Sequence, residues 1–85
     1  MLDIDIVKAN IAAYEKYNGN FDAMFEAAAD SDGSDIHFEG ADIGLSTNGV
    51  VVVTLLDVYD NEYQQDLGDV RICITAHATY FAYRG

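Results

Sequence analysis

The stretch Asp30-Ser31-Asp32-Gly33-Ser34-Asp35-Ile36-His37-Phe38-Glu39 decides the fold, because the periodicity of the chain changes inside it. Before it, apolar residues recur at helical spacing. After it they alternate: Ile36 and Phe38 face one way, His37 and Glu39 the other, as in a half-buried strand. The Asp, Ser and Gly between the two regimes read as a polar turn whose side chains bond the local backbone.

Working back towards the N-terminus, Ile4, Val7, Ile11 and Tyr14 form one apolar stripe and predict a helix over 3–17. Asp3 and Asp5 stand in its first turn, where the macrodipole favours negative charge. Asn18-Gly19 stops it, since Gly tolerates the left-handed conformation after a helix. Asn20 then caps a second helix over 21–29, with Phe21, Met24, Phe25 and Ala28 as its buried face. The short break predicts an αα-hairpin or two helices turned sharply against each other.

Working forward, Gly40 breaks the first strand, and Ile43 and Leu45 mark a second short one. Asn48-Gly49 is a type I′ hairpin signal, because both central residues of that turn need positive φ. Val50 to Tyr59 follows as a long strand with β-branched residues on both faces, then Asp60 to Gly68 as a polar connection. Val70 to Tyr83 is the last strand, with Val70, Ile72, Ile74, Ala76, Ala78 and Tyr80 on one face and Arg71, Cys73, Thr75, His77 and Thr79 on the other. So long a strand calls for a bulge or bend near Ala76–Ala78. The small side chains there suit a helix crossing close to the sheet. The reading is an α+β fold, with two N-terminal helices packed on one face of a roughly four-stranded antiparallel sheet, in a single domain over 1–85.

Composition bounds the function. The chain has 15 Asp plus Glu against 4 Lys plus Arg, a formal net charge of -11, yet 51% of its residues are hydrophobic. Disordered acidic tails lack that apolar content, so a folded domain with a strongly negative surface is expected. Such a field repels nucleic acid and anionic membrane and attracts basic protein surfaces. A single cysteine, Cys73, excludes an internal disulfide and fits a reducing compartment. The start Met1-Leu2-Asp3-Ile4-Asp5 lacks the basic opening of a signal peptide, and no apolar run is long enough to span a membrane. A cytoplasmic, soluble protein is the expectation.

The motifs that carry chemistry are missing. Counted from Asp30, an EF-hand loop would need Gly at Asp35 and Glu at Ala41, so the calcium pattern fails. His37, His77 and Cys73 are the soft metal ligands, and they have no signature spacing. Ser31, Ser34 and Ser46 lack a nucleophile elbow. The scattered glycines Gly33, Gly40, Gly44, Gly49 and Gly68 form no phosphate-cradling loop. The expectation is a protein that is not an enzyme, with no cofactor and no metal.

The acids are the remaining signal. They fall in two groups without a Lys or Arg: Asp30, Asp32, Asp35, Glu39 and Asp42, then Asp57, Asp60, Glu62, Asp66 and Asp69. Both sit at expected connections or strand ends. Solubility needs a net charge of only ~2–8 in a small domain. Tyr59 and Tyr63 stand in the second group, and Tyr is enriched at interface hot spots. These residues are the expected partner-binding set, with Asp57–Asp69 as the main contact and Asp30–Asp42 as the alternative.

In size, charge and acid-plus-tyrosine segments, the chain resembles the small, acidic, cysteine-poor inhibitors of phages and mobile elements, including anti-CRISPR proteins and other DNA mimics. That class shares no motif, so the resemblance carries no residue over. It implies a mechanism in which carboxylates replace phosphates in a basic channel. The implied partner is a basic nucleic-acid-binding protein, such as a CRISPR effector or another nuclease, met in the host bacterial cytoplasm by a monomer or homodimer. Direct contact with nucleic acid or membrane is not implied. An immunity protein or antitoxin against a basic nuclease fits the same surface. A self-associating phage accessory protein is the reading from a different class.

Overall fold

Two helices lie on one face of an antiparallel sheet in the computed structural model, which describes residues 2–30 and 35–82. Helix α1 spans Ile4–Glu15, and Asp3 caps it by accepting from the N–H of Asp5 at 3.0 Å. Asn18 (φ 52) and Gly19 (φ 75) turn the chain out of it. Helix α2 spans Phe21–Ala29, and the Asn20 side chain accepts from the Ala23 N–H at 3.1 Å. These boundaries follow from side-chain oxygens satisfying amides that the helix leaves unpaired. Helix α1 packs over the strands β3 (Val51–Asp60) and β4 (Gln65–Ile74), and α2 over β4 and β5 (Thr79–Phe81). Each helix therefore rests chiefly on the sheet and not on the other helix.

The stripe of α1 is rotated from the expected one. Ile4 and Ile11 are exposed, whereas Ala13, Tyr14 and Tyr17 pack on the core and Asn10 is buried. Asn10 earns its place by hydrogen bonding. Its Nδ2 donates to the carbonyl of Gly49 at 2.8 Å, and its Oδ1 accepts from the N–H of Ala76 at 2.9 Å. One side chain thus ties α1 to two turns of the sheet.

Two further strands, β1 (Ile36–His37) and β2 (Gly40–Leu45), both pair with β3, so the order across the sheet is β1/β2, β3, β4, β5. Gly40 opens β2 instead of breaking a strand. The register from Ile36↔Asp60 to Leu45↔Val51 is continuous, so β1 and β2 are one edge strand interrupted opposite Asp57, where β3 takes φ 52. The turn between β2 and β3 lies where Asn48-Gly49 placed it, but it is not type I′. Only Gly49 has positive φ, the N–H of Gly49 donates to Ser46 O, and the N–H of Ser46 donates to Val50 O. That is a type I turn closed by a glycine bulge. A Cβ on Gly49 would stand 2.9 Å from Val7 of α1, so this glycine meets both a dihedral and a steric demand.

The second half of the chain departs most from expectation. Strand β4 begins at Gln65, inside the expected polar connection, and only 61–64 turn. The expected single strand Val70–Tyr83 is a hairpin, in which β4 ends at Ile74 and β5 returns antiparallel with Cys73 opposite Tyr80 and Ile72 opposite Phe81. Tyr80 therefore shares a face with Cys73, not with Ile72. The reversal over Thr75–Ala78 uses a threonine, whose Oγ1 accepts from the N–H of His77 and of Ala78 at 3.2 and 3.0 Å. Ala76 and Ala78 are exposed in this turn, and α1 reaches it through Asn10. The break therefore falls at Ala76–Ala78, where the strand length calls for a bulge or bend, as a bend, and the bulges lie between Leu55 and Tyr59 of β3. The expected turn residues 31–34 and the end of the last strand at Tyr83 lie outside the described residues.

The core is Met24 and Phe25 of α2 against Val51, Val53, Leu55, Val58, Ile72 and Ile74. In β3 the buried residues run 51, 53, 55 and then 58, so the bulge shifts the alternation by one residue.

Candidate functional site at the acid-rich end of the sheet

Beyond the bulges, β3 and β4 continue into a hairpin that closes over 61–64, with β1 alongside. This end of the sheet gathers acids from both groups of the sequence. Asp57, Asp60, Glu62, Asp66 and Asp69 belong to the hairpin. Asp35 and Glu39 of the first group join them on either side of β1. The N–H of Asn61 donates to Asp35 O at 2.8 Å, and the N–H of Glu39 donates to Leu56 O at 2.9 Å. No Lys or Arg occurs between Tyr17 and Val70.

Several of these carboxylates build the hairpin that carries them. Asp60 Oδ1 accepts from the N–H of Glu62 at 2.9 Å and of Tyr63 at 3.2 Å, capping the turn. Asp66 Oδ1 accepts from the N–H of Gly68 at 2.9 Å, and Asp69 Oδ1 from the N–H of Asp57 at 3.1 Å. Asp35 Oδ1 accepts from Asn61 Nδ2 at 3.3 Å. Both bulges need positive φ, at Asp57 and Gly68, and the two bulge amides are the ones that Asp69 and Asp66 bind. Acidic side chains here close the turn and bulge amides, beside a thin apolar layer of Val58, Leu67 and Ile36.

Glu39 Oε1 lies 3.2 Å from Nε2 of His37, and both side chains are exposed. In the register His37 stands opposite Tyr59, and Tyr59 opposite Asp66. Tyr63, at the hairpin turn, is 73% exposed, the most accessible large hydrophobic side chain of the described residues. Not every expected acid is here. Asp42 lies further along the edge opposite Thr54, and Asp30 ends α2 in a left-handed conformation (φ 52). Asp32 lies outside the described residues.

Sequence reasoning missed Asn61, which joins Asp35 to the hairpin. Nothing in the sequence signals it beyond an Asn next to Asp60. Ile43 and Leu45, read as marking a short strand, are exposed on the edge strand.

Among the described residues no cluster of His, Cys, Asp and Glu is arranged to hold a metal ion, and no helix is long and apolar enough to cross a membrane. Cys73 is buried on the sheet face away from the helices. Burial pushes its thiol pKa up, and the nearby Arg71 guanidinium opposes part of that rise. No protein-family model, no curated protein and no solved structure matches this chain.

Proposed function

We propose that this protein inhibits a nucleic-acid-binding bacterial protein, as an anti-CRISPR or similar anti-defence factor, by occupying its basic surface in the manner of a DNA mimic. The observation that supports this reading is the convergence of Asp35, Glu39, Asp57, Asp60, Glu62, Asp66 and Asp69 at one end of three adjacent strands with no Lys or Arg among them. A groove that binds nucleic acid presents Lys and Arg, and a fixed array of carboxylates is complementary to it. Asp60, Asp66 and Asp69 are held by backbone amides, so little ordering entropy is lost when they meet a partner. Exposed Tyr63 and Tyr59 supply contact area with a polar tip. Inhibition then needs only occupancy, not a reaction.

The hydrogen bonds dictate the variant that tests this. Changing Asp57, Asp60, Asp66 and Asp69 to Asn, and Glu39 and Glu62 to Gln, removes the charge but keeps an acceptor oxygen for every turn amide. Parent and variant are immobilised and exposed to bacterial lysate at low salt. The expected result is that the parent retains nucleic-acid-binding proteins which elute as salt rises, and that the variant does not. Equal retention by both would place the contact elsewhere. The identity of the retained protein separates a defence effector from a nuclease toxin.

A further inference from the structure

We propose that the edge strand Gly40–Leu45 pairs with the same strand of a second copy, joining two sheets into one. This contact does not involve the acidic end and holds whatever that end binds. Among the described residues β2 pairs with β3 on one side only. The N–H of Ser46 donates to Val50 O, and ladder bonds recur at every second residue, so Gly44 and Asp42 turn their backbone groups to β3. Ala41, Ile43 and Leu45 therefore turn theirs outward. Natural edges are protected by charged side chains, Pro or a bulge. From Gly40 to Leu45 the single charge is Asp42, and there is no Lys, Pro or bulge. Ile43 and Leu45 are instead 51% and 48% exposed.

The sequence of this edge is complementary to itself. In an antiparallel pair centred on Ile43, Ile43 meets Ile43 of the second copy and Leu45 meets Ala41, so the apolar side chains line up on the helix side. Asp42 then meets Gly44 of the second copy. The one charge on the edge faces a residue without a side chain, and no two carboxylates oppose each other. Because β1 continues β2 at one end only, the two acid-rich hairpins point in opposite directions, which keeps the largest like charges apart. The resulting dimer is isologous and closes on itself.

Gly44 makes the register testable. A Cβ there would meet nothing within 4 Å, and its φ is not positive, so it accepts a side chain without disturbing the fold. Sedimentation of the full chain is followed from micromolar to millimolar concentration at about 0.15 M salt, where repulsion beyond ~8 Å is screened. The parent is expected to show a reversible monomer–dimer equilibrium. Gly44→Asp places a carboxylate opposite Asp42 twice per dimer and should weaken it about tenfold, since like charges directly opposite destabilise a cross-strand pair. Gly44→Lys should strengthen it by a similar factor, and Gly44→Ala should stay near the parent. A parent that remains monomeric throughout overturns the proposal. So do Asp and Lys variants with the same dimer constant.

Discussion

The two ends of the long hairpin β3–β4 are built by different physics. At one end Val51, Val53 and Leu55 face Ile72 and Ile74 beneath the helices, and stability comes from apolar burial. At the other, beyond the bulges, backbone amides are held by Asp60, Asp66 and Asp69, and the exposed surface carries acids without a Lys or Arg. The difference teaches that the same strands can carry a core and a charged platform when side-chain acceptors close the turn and bulges. It also separates residues that hold the fold from residues available to a partner.

The sharpest way to break that comparison is at Asn10, the one buried polar side chain among the described residues. Asn10→Ala removes both of its bonds and leaves a buried carbonyl and an amide short of partners, which should cost about 2–3 kcal/mol in urea unfolding. Glu62→Gln at the hairpin should stay within about 0.5 kcal/mol of the parent. Equal costs at the two sites would erase the distinction between the ends.

A smaller effect is expected at Asp60. Asp60→Ala deletes the turn cap and should cost about 1 kcal/mol, in line with other short side-chain caps. Asp60→Asn keeps the acceptor and should cost much less. If both variants lose the same stability, the charge rather than the hydrogen bond holds the turn.

The smallest effect concerns Cys73, whose buried thiol has a raised pKa. The folded state then holds its proton more tightly than the unfolded chain does. The associated stability is complete below the unfolded thiol's pKa and is lost as pH rises through the folded one. Alkylation of the native protein by iodoacetamide at mildly alkaline pH should be far slower than in urea, because both burial and the raised pKa withhold the thiolate. Equal rates in the two conditions would show that the sheet face beside Tyr80 opens freely.

How much of this was legible depends on which group closes each turn. The helix ends were readable because Asn18-Gly19 and Asn20 are standard stop and start residues, and α2 runs over the residues expected. The strand β3 was readable from its β-branched run. A bend near Ala76–Ala78 was readable from strand length, but the full β4–β5 reversal was not, because Thr75-Ala76-His77-Ala78 contains no Gly, Pro, Asn or Asp. Its amides are held by a threonine hydroxyl and by Asn10 from far away in sequence. The start of β4 was hidden by the bulges, which shift the alternation just where the side chains turn polar. Of the candidate surface, the acids of Asp57–Asp69 were legible as a group. That Asp35 and Glu39 join them could not be seen, because it depends on the register of β1 against β3.

The central claim is that the acid-rich end takes the place of nucleic acid on a basic partner. The most direct measurement is competition: duplex DNA is titrated into the complex between this protein and the partner it retains, at constant ionic strength. Progressive release of the protein as DNA saturates the partner is the expected result. A complex that persists unchanged at saturating DNA would contradict the claim, because the two ligands would then occupy different surfaces.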